Sequence, residues 1–215
     1  MILSALRITE IFYSLQGESN TVGIPTVFIR LTGCPLRCIY CDTAYAFTGG
    51  KKIEIADIIL QAEQYGTQYI TITGGEPLAQ PACLELITQL LDKGFIVSLE
   101  TSGAIDVSTV DSRAVKVMDL KTPSSGELSK NLYQNIYHLN KKDQVKFVIG
   151  SDEDYNWSKA AITEYELPDR CEILFSPVMG QQNPTELAEK ILQDRLPVRF
   201  QIQLHKLLWD DAQGK

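Results

Sequence analysis

The segment that decides the fold is residues 69–77, with the sequence YITITGGEP. Its first five residues are a short apolar run of strand-forming residues, and two glycines and a proline end that run at once. Residues with helical periodicity follow from Cys83 to Asp92, and Gly94 closes this helix as the residue after its cap. A buried strand followed by a helix is typical of one βα unit in a parallel sheet.

The same alternation recurs along the chain. Strands are predicted at 26–31, 69–73, 95–100, 115–120, 145–149, 171–175 and 198–204, and helices at 54–65, 83–92, 107–112, 132–139, 152–165 and 184–194. These make about six βα units, too few for the eight of a closed barrel. We therefore predict an α/β fold, a partial (open) β/α barrel with a parallel sheet. It forms a single domain over 1–215, preceded by one N-terminal strand near 8–13.

The composition limits the class of protein. The 215 residues carry a net charge of −7, with 44% hydrophobic and 22% charged residues, as in soluble globular proteins. No run approaches the ~20 apolar residues of a membrane helix, and the first residues lack a signal-peptide pattern. The acidic balance disfavours nucleic acid as a partner, because phosphate binding requires a basic surface. An odd cysteine count of five argues against a secreted disulfide framework and favours a cytoplasmic protein.

Unusual motifs follow the predicted strands. They occupy 33–43, 74–77, 101–103, 121–123 and 176–177. Because ligands of parallel α/β sheets bind beyond the carboxyl ends of the strands, we expect these five segments to meet at one face.

Three of the five cysteines, Cys34, Cys38 and Cys41, lie in one short loop. A structural zinc site uses four ligands, and the loop offers no fourth, since Cys83, Cys171 and both histidines are remote. A disulfide would leave one thiol unused. Three thiolates suit an iron–sulfur cluster in which one iron has no protein ligand. On spacing alone, zinc and redox-active or incidental thiols stay open as alternatives.

The spacing Cys-x3-Cys-x2-Cys, with Tyr40 before the last cysteine, resembles the signature of radical S-adenosylmethionine (SAM) enzymes. The resemblance implies a [4Fe–4S] cluster on the three cysteines, whose open iron binds SAM so that its cleavage releases a 5′-deoxyadenosyl radical. Tyr40 would lie by the adenine, or only pack the loop. Residues 74–77 are the second mark, with Glu76 on the methionine amino group, although a Gly-Gly pair alone could be an ordinary turn.

Three further segments narrow the resemblance: LQGE at 15–18, CDT at 41–43 and QLHK at 203–206. Together they resemble the 7-carboxy-7-deazaguanine synthases. This family contracts the ring of 6-carboxy-5,6,7,8-tetrahydropterin, with loss of ammonia, in 7-deazapurine (queuosine) biosynthesis. The resemblance implies Mg²⁺ besides the cluster and SAM, an external electron donor such as flavodoxin, and a homodimer.

The resemblance also implies individual site residues. The pterin would contact Leu15, Gln16, Gly17, Arg30 and Thr73. SAM would contact Tyr40, Gly75, Glu76, Ser102, Asp119, Leu120, Lys121, Ser176, Pro177, Val178 and Met179. Magnesium would bind Thr43, although its chemistry alone favours Asp42, which we expect to brace the loop. Arg30 would bind the pterin carboxylate, unless it forms only a surface ion pair. His205 could face the substrate on the last strand or be a packed edge residue.

One departure from the family pattern is Ser19, where members often have glycine. A residue with a side chain matters there if the turn requires a positive φ. In the tail, residues 209–215, the sequence does not assign a substrate contact to any single residue. Two other functions stay open. A glycyl-radical-enzyme activating protein would act on a protein partner, which residues 15–18 and Arg30 disfavour, and a zinc-binding module would have no catalytic role.

Overall fold

The structure is a computed structural model that describes residues 4–210 and 212–215. Its strands are β1 (Ala5–Leu15), β2 (Pro25–Leu31), β3 (Lys51–Glu54), β4 (Tyr69–Gly74), β5 (Ile96–Thr101), β6 (Val115–Asp119), β7 (Gln144–Ile149), β8 (Glu172–Pro177) and β9 (Arg199–Phe200). They form one sheet in the order β3-β1-β2-β4-β5-β6-β7-β8-β9. β1 is antiparallel to β2 and β3, and all neighbours from β2 to β9 are parallel. The predicted α/β fold with a parallel sheet is confirmed.

The α-helices are α1 (Ile55–Glu63), α2 (Cys83–Asp92), α3 (Asp152–Glu164), α4 (Leu167–Arg170), α5 (Pro184–Asp194) and α6 (Leu204–Trp209). α5 begins as its sequence predicts, because Asn183 Oδ1 accepts a hydrogen bond from the backbone N–H of Thr185 at 2.9 Å. After α2, Gly94 has a left-handed φ of +87°. Within 4–210 and 212–215, none of the helices has the length and apolar character needed to cross a membrane.

Two predicted helices differ from the structure. Residues 107–112 form turns and not a helix. Asp106 and Asp111 each accept a hydrogen bond from the backbone N–H two residues ahead, at 2.8 and 2.9 Å. Such side-chain bonds stabilise turns at the expense of a helix. The helix predicted at 132–139 is a 3₁₀ helix, Tyr133–His138.

The last part of the chain also differs. The strand predicted at 198–204 is wrong beyond its first residues, since β9 has two residues and a helix follows it. Gln201 and Gln203 leave the sheet and hydrogen-bond to the loop after β1, at Ser19 and Glu18. β3 was not predicted, because its two lysines give no apolar pattern.

Two apolar clusters hold the helices against the sheet. The first includes residues of α1, α2, β2, β4 and β5, with Ile72 and Leu86 fully buried. The second includes residues of β6, β7, β8, α3 and α5, where the rings of Phe147 and Phe175 meet edge to face at 5.5 Å. Each such side chain contributes about 1.5–3 kcal/mol on burial. Because these clusters stabilise the fold, the carboxyl ends of the strands can carry polar residues.

Candidate active site

A cavity of about 590 Å³ opens at the carboxyl ends of the parallel strands, a size typical of small-molecule and cofactor sites. Six neighbouring strands contribute wall residues at or near their ends: Arg30, Thr73, Thr101, Asp119, Val148 and Pro177. The loops after these strands complete the wall. The five motifs that follow strands in the sequence therefore meet at one face.

Cys34, Cys38 and Cys41 line this cavity as free, half-buried thiols. Their loop is fixed to the loop after β4, since the Glu76 N–H donates to Gly33 O at 2.8 Å. Burial raises the pKa of the Cys34 and Cys38 thiols. Within the described part of the chain, no three His, Cys, Asp or Glu side chains converge as ligands of one ion. The loop offers three thiols at a cavity, one fewer than the four ligands of a structural zinc site.

Gly74 and Gly75 bring the end of β4 against the end of β2. A Cβ on Gly74 would lie 2.2 Å from Leu31 O, and one on Gly75 would lie 2.3 Å from Gly33 O and 2.8 Å from Cys34 Cβ. Gly74 also has a φ of +146°, which disfavours other residues. The glycine pair is thus required for the cysteine loop to pack against β4.

Glu76 lies behind the cavity wall and is fully buried. Its carboxylate accepts hydrogen bonds from Ser102 N at 2.6 Å, Ser102 Oγ at 2.5 Å and Thr101 Oγ1 at 2.9 Å. It also accepts one from Leu78 N at 2.9 Å. In this structure Glu76 positions the end of β5, and Ser102 is the residue of this set that faces the cavity beside Thr101.

Arg30 reaches the cavity from β2 and is held on three sides. Its Nε donates to Glu10 Oε1 at 2.7 Å, and the guanidinium carbon lies 5.7 Å from the Phe12 ring centroid and 5.8 Å from that of Tyr45. The Tyr45 hydroxyl donates to the same Glu10 oxygen at 2.8 Å. Burial raises the pKa of Tyr45 to about 12, and Glu10 adds to the rise against the effect of Arg30. The guanidinium is therefore positioned before any ligand arrives.

Gln16 contributes to the cavity wall, but its carboxamide is already hydrogen-bonded at both ends. Nε2 donates to Thr71 Oγ1 at 2.9 Å, and Oε1 accepts from Glu18 N at 3.1 Å. The side chain is 2% exposed. Its structural role is to fix the loop after β1, including the backbone of residues 16–18, against β4.

His205 lies on α6 and not on a strand, so the predicted position on the last strand is wrong. It packs against Gly17, where a Cβ would lie 2.3 Å from His205 Nδ1. Burial lowers the pKa of His205, although Glu18 and Asp42 oppose this shift. The imidazole lines the cavity and tends to be neutral.

Ser19, the departure from the family pattern, has a φ of +68°. The turn therefore does require the left-handed region that glycine adopts easily. Gln201 Oε1 accepts from Ser19 N at 3.1 Å, and the Ser19 and Thr21 hydroxyls hydrogen-bond at 2.9 Å. These bonds stabilise a serine in a conformation that glycine would take without strain.

A charged cluster forms another part of the cavity wall. Lys146 Nζ lies 2.5 Å from Glu18 Oε2 and 3.3 Å from Asp119 Oδ1, and Lys121 Nζ lies 2.8 Å from Asp119 Oδ2. Burial alone would lower the pKa of Lys146, but Asp119 and Glu18 outweigh it and raise that pKa well above its ordinary value. Burial would likewise raise the pKa of Asp119, yet Lys121 and Lys146 lower it. Lys146, Asp119 and Lys121 are therefore held in their charged forms.

Glu100 is the exception in this wall. Its Oε2 accepts a hydrogen bond from Thr73 Oγ1 at 2.8 Å, and its Oε1 lies 3.4 Å from Gln16 Nε2. Burial and the neighbouring Glu18 raise its pKa, and Lys146 offsets only part of this rise. It is thus a cavity carboxyl whose environment favours the neutral form.

The comparisons with known proteins identify the family. The Radical SAM superfamily profile matches residues 28–119. A 7-carboxy-7-deazaguanine synthase of Chlorobaculum tepidum is 43% identical, with 97% of each chain covered. Another from Methanospirillum hungatei JF-1 is 42% identical over 95% of this chain and 86% of its own. This chain belongs to the 7-carboxy-7-deazaguanine synthase family. Membership decides against the glycyl-radical-enzyme activating protein and the zinc-binding module.

Solved structures agree with the fold of this synthase family member. A crystal structure of QueE from Escherichia coli superposes with a TM-score of 0.78 at 24% identity, covering 94% of this chain and 95% of the other. Streptococcus suis SuiB bound to S-adenosylmethionine gives a TM-score of 0.58 at 15% identity, covering 80% and 48%. Both likenesses concern the fold alone and agree with the α/β architecture described above.

Radical SAM synthases use a [4Fe–4S] cluster and SAM, and the residues present fit both. The three cysteines are free and face a cavity of adequate size. Asp119 Oδ1 is buried there and has only a long contact, 3.3 Å, to Lys146 Nζ, which leaves it capacity to accept a hydrogen bond from a polar ligand.

Thr43 and Asp42 lie at the cavity beside the cysteine loop. Asp42 Oδ1 accepts from Thr43 Oγ1 at 2.9 Å, and Oδ2 lies 3.1 Å from both Lys206 Nζ and Gln203 Nε2. Burial would raise the pKa of Asp42, but Lys206 and Gln203 hold it well below its usual range. Asp42 thus braces the loop as expected. The Thr43 hydroxyl donates its proton to Asp42, so its lone pairs are free to accept, while Asp42 Oδ1 keeps one free lone pair.

The structure brings most of the predicted site residues to the cavity. Its wall includes Leu15, Gln16, Gly17, Arg30, Cys34, Cys38, Tyr40, Cys41, Thr43, Thr73, Gly75, Ser102, Asp119, Lys121, Pro177, Val178, Met179 and His205. Glu76, Leu120 and Ser176 are buried behind it. The roles of all these residues remain predictions.

The sequence predicts no role for the wall residues Glu100, Lys146 and Lys215, and it marks Glu18, Gln203 and Lys206 only as parts of the segments 15–18 and 203–206. One signal was available for Lys146, a charged residue inside the apolar strand QVKFVI. A lysine there must find a partner or a cavity.

Proposed function

We propose that this synthase converts 6-carboxy-5,6,7,8-tetrahydropterin to 7-carboxy-7-deazaguanine and ammonia. The observation that carries the proposal is the 43% identity to a 7-carboxy-7-deazaguanine synthase over 97% of both chains. A cavity lined by three free thiols and by an arginine held in position supports it.

The three loop cysteines would hold the [4Fe–4S] cluster, Tyr40, Gly75, Ser102 and residues 177–179 would contact SAM, and Thr43 would bind magnesium. When bound, the cluster and SAM supply a radical that removes a hydrogen atom from the pterin C6. The protein contributes orientation, charge and exclusion of water around these groups.

Arg30 binds the substrate carboxylate in this proposal. Its Nε is occupied by Glu10, which leaves the two terminal amino groups for a bidentate pair with the ligand. The rings of Phe12 and Tyr45 restrict the guanidinium to that orientation. This arrangement favours a pterin that carries a carboxylate over one that does not.

The electron needed for SAM cleavage comes from outside the chain in this proposal. Cys83 and Cys171 are buried in different apolar clusters, so the described residues offer no second cysteine cluster. A small external reductant such as flavodoxin is therefore required. We also propose a cytoplasmic homodimer, as expected of the family.

The proposal is tested with enzyme reconstituted anaerobically with iron and sulfide. Supplying SAM, Mg²⁺, reductant and the pterin should give ammonia and 7-carboxy-7-deazaguanine in equal amounts. Arg30→Gln should weaken kcat/KM by about 10- to 100-fold, since it removes a charge-assisted pair of about 1.5–3 kcal/mol. Arg199→Gln, at the surface beside Glu172, is the matched control and should behave as wild type. Absence of pterin-dependent ammonia would refute the proposed function.

A further inference from the structure

Glu100 differs from the other carboxylates of the cavity in having no cationic partner. Asp119 pairs with Lys121 and Lys146, Glu18 with Lys146, and Asp42 with Lys206. Among the residues that the structure describes, no lysine, arginine or histidine nitrogen lies within 4.0 Å of the Glu100 carboxyl, although its side chain faces the same cavity.

The direct neighbours of Glu100 are neutral. Thr73 Oγ1 donates to Oε2 at 2.8 Å and Gln16 Nε2 lies 3.4 Å from Oε1. The charged groups that act on it from other elements are Glu18, Lys146 and Arg30. Lys146 and Arg30 are each within 2.7 Å of another carboxylate, Glu18 and Glu10, so they neutralise those groups first.

A carboxyl of this kind suits proton transfer. General acid–base groups work best when their pKa lies near the working pH, and burial next to a like charge moves a glutamic acid in that direction. Pairing with lysines lowers the pKa values of Asp119 and Asp42, so these two carboxyls are unsuited to donate a proton. The carboxylates paired with lysines therefore shape the cavity wall, whereas the Glu100 carboxyl is suited to proton transfer.

The proposed conversion of the pterin, on which this inference rests, includes proton transfers that a carboxyl group can carry out. Substrate and product differ by one molecule of ammonia, so the conversion is neither an oxidation nor a reduction. The amino nitrogen leaves with the pair of its C–N bond and must gain a proton. A neighbouring ring carbon must lose a proton, and its C–H pair becomes the new double bond.

We propose that Glu100 carries this proton between the ring carbon and the leaving nitrogen. The neutral carboxyl protonates the amino group as the C–N bond breaks, and ammonia departs. The resulting carboxylate then removes the proton from the ring carbon and regains its neutral form, so no proton is consumed. Thr73 and Gln16 hold the carboxyl at the cavity wall during both transfers.

The test compares Glu100→Gln with Glu100→Asp, which keeps a carboxyl, and with Glu85→Gln, an exposed control on α2. The substrate carries deuterium at C6, so that deuterium recovered in SAM or 5′-deoxyadenosine reports hydrogen abstraction separately from ammonia release. We expect Glu100→Gln to lose about 100-fold or more of its ammonia release, in line with general acid–base catalysis. Deuterium transfer should stay within about threefold of wild type, and Glu100→Asp should recover part of the ammonia release.

The outcomes separate this proposal from the proposed function on which it rests. Wild-type enzyme that releases no ammonia from the pterin would refute the proposed function itself. If wild type is active, ammonia release by Glu100→Gln within threefold of wild type would overturn the role of Glu100. An equal loss of deuterium transfer and ammonia release would also overturn it, because that result indicates substrate positioning. Iron content and melting temperature confirm that each variant is folded and loaded.

Discussion

Two buried lysines on neighbouring strands of this synthase each pair with a carboxylate, but their positions in the sheet give the two ion pairs different roles. Lys116 lies at the start of β6 and pairs with Asp143 at 3.0 Å, where the two side chains are only 4% and 0% exposed. Lys146 on β7 pairs with Glu18 and Asp119 at the carboxyl end of the sheet, where the cavity opens.

The surroundings decide what each pair does. Asp143 also accepts hydrogen bonds from the backbone N–H groups of Lys116 at 2.8 Å and Asn140 at 3.0 Å, so it is a closed structural link. The Lys146 cluster faces a cavity and has partners on two other elements. A buried ion pair at the amino ends of the strands therefore stabilises the fold, whereas the pair at the carboxyl ends shapes the site.

The largest effect expected at the cavity is that of Cys34→Ala. It removes one of three cluster ligands, so SAM cleavage should be abolished while the fold persists. Cys83→Ala removes a fully buried thiol of the first apolar cluster and should lower stability only. Iron analysis, 5′-deoxyadenosine assay and urea unfolding measure both. Retained SAM cleavage in Cys34→Ala would contradict the assignment of the loop.

The largest stability effect should come from Asp143→Ala. It leaves Lys116 as an uncompensated buried charge, which costs about 3–5 kcal/mol. Urea unfolding should show this loss, with the KM for the pterin unchanged in the remaining folded enzyme. In a double-mutant cycle, adding Lys116→Met should recover part of the loss. Additive losses in the cycle would mean that the two residues do not stabilise each other.

Lys146→Met should lower activity more than stability, the reverse of what we expect for Asp143→Ala. Asp119 keeps Lys121 and Glu18 keeps its 2.7 Å hydrogen bond from Gln203, so the loss of stability should be smaller than for Asp143→Ala. We expect kcat/KM to fall by roughly 10- to 100-fold, equivalent to about 1–3 kcal/mol. Steady-state kinetics and urea unfolding on one preparation test this. If Lys146→Met lost more stability than Asp143→Ala, the assignment of Lys116 to the fold and of Lys146 to the site would be wrong.

Glu100→Gln should change the pH dependence of stability. The pKa of Glu100 is raised by burial and by Glu18, so the folded protein binds more protons than the unfolded chain above the ordinary glutamate pKa. Its contribution to stability is therefore full at low pH and declines as the pH rises toward the folded-state pKa. Relative to wild type, the Gln variant should gain melting temperature from pH 5 to pH 8. A difference that is constant with pH would contradict the raised pKa.

The smallest effect expected is that of Ser19→Gly. Glycine takes the φ of +68° without strain but gives up the bond to Thr21, so the two changes should nearly cancel, within about 1 kcal/mol. Ser19→Val, a β-branched residue, should cost about 1–3 kcal/mol at the same φ. Thermal unfolding compares the three proteins. Equal stability of the valine variant would show that the turn is not held in the left-handed region.

Much of the site could be predicted because its signals are local. The cysteine spacing, the glycine pair at 74–75 and the arginine at the end of β2 each lie within a few residues of the chain. The left-handed turn at Ser19 is likewise indicated by the local pattern, since the glycine of related sequences is replaced there by a residue with φ +68°. The weaker predictions concern residues whose surroundings come from distant segments, as with His205, which lies on a helix packed against Gly17.

The sequence by itself determined the alternating βα order, the cysteine loop and the family of this synthase, because periodicity and spacing are properties of neighbouring residues. Only the tertiary structure decided that Lys116 is a closed structural ion pair, that Lys146 belongs to the cavity, and that Glu100 has no cation beside it within the described chain. The physical reason is that the charge state of a buried group depends on partners brought together by folding. Glu18 and Lys146 are 128 positions apart in sequence and 2.5 Å apart in space.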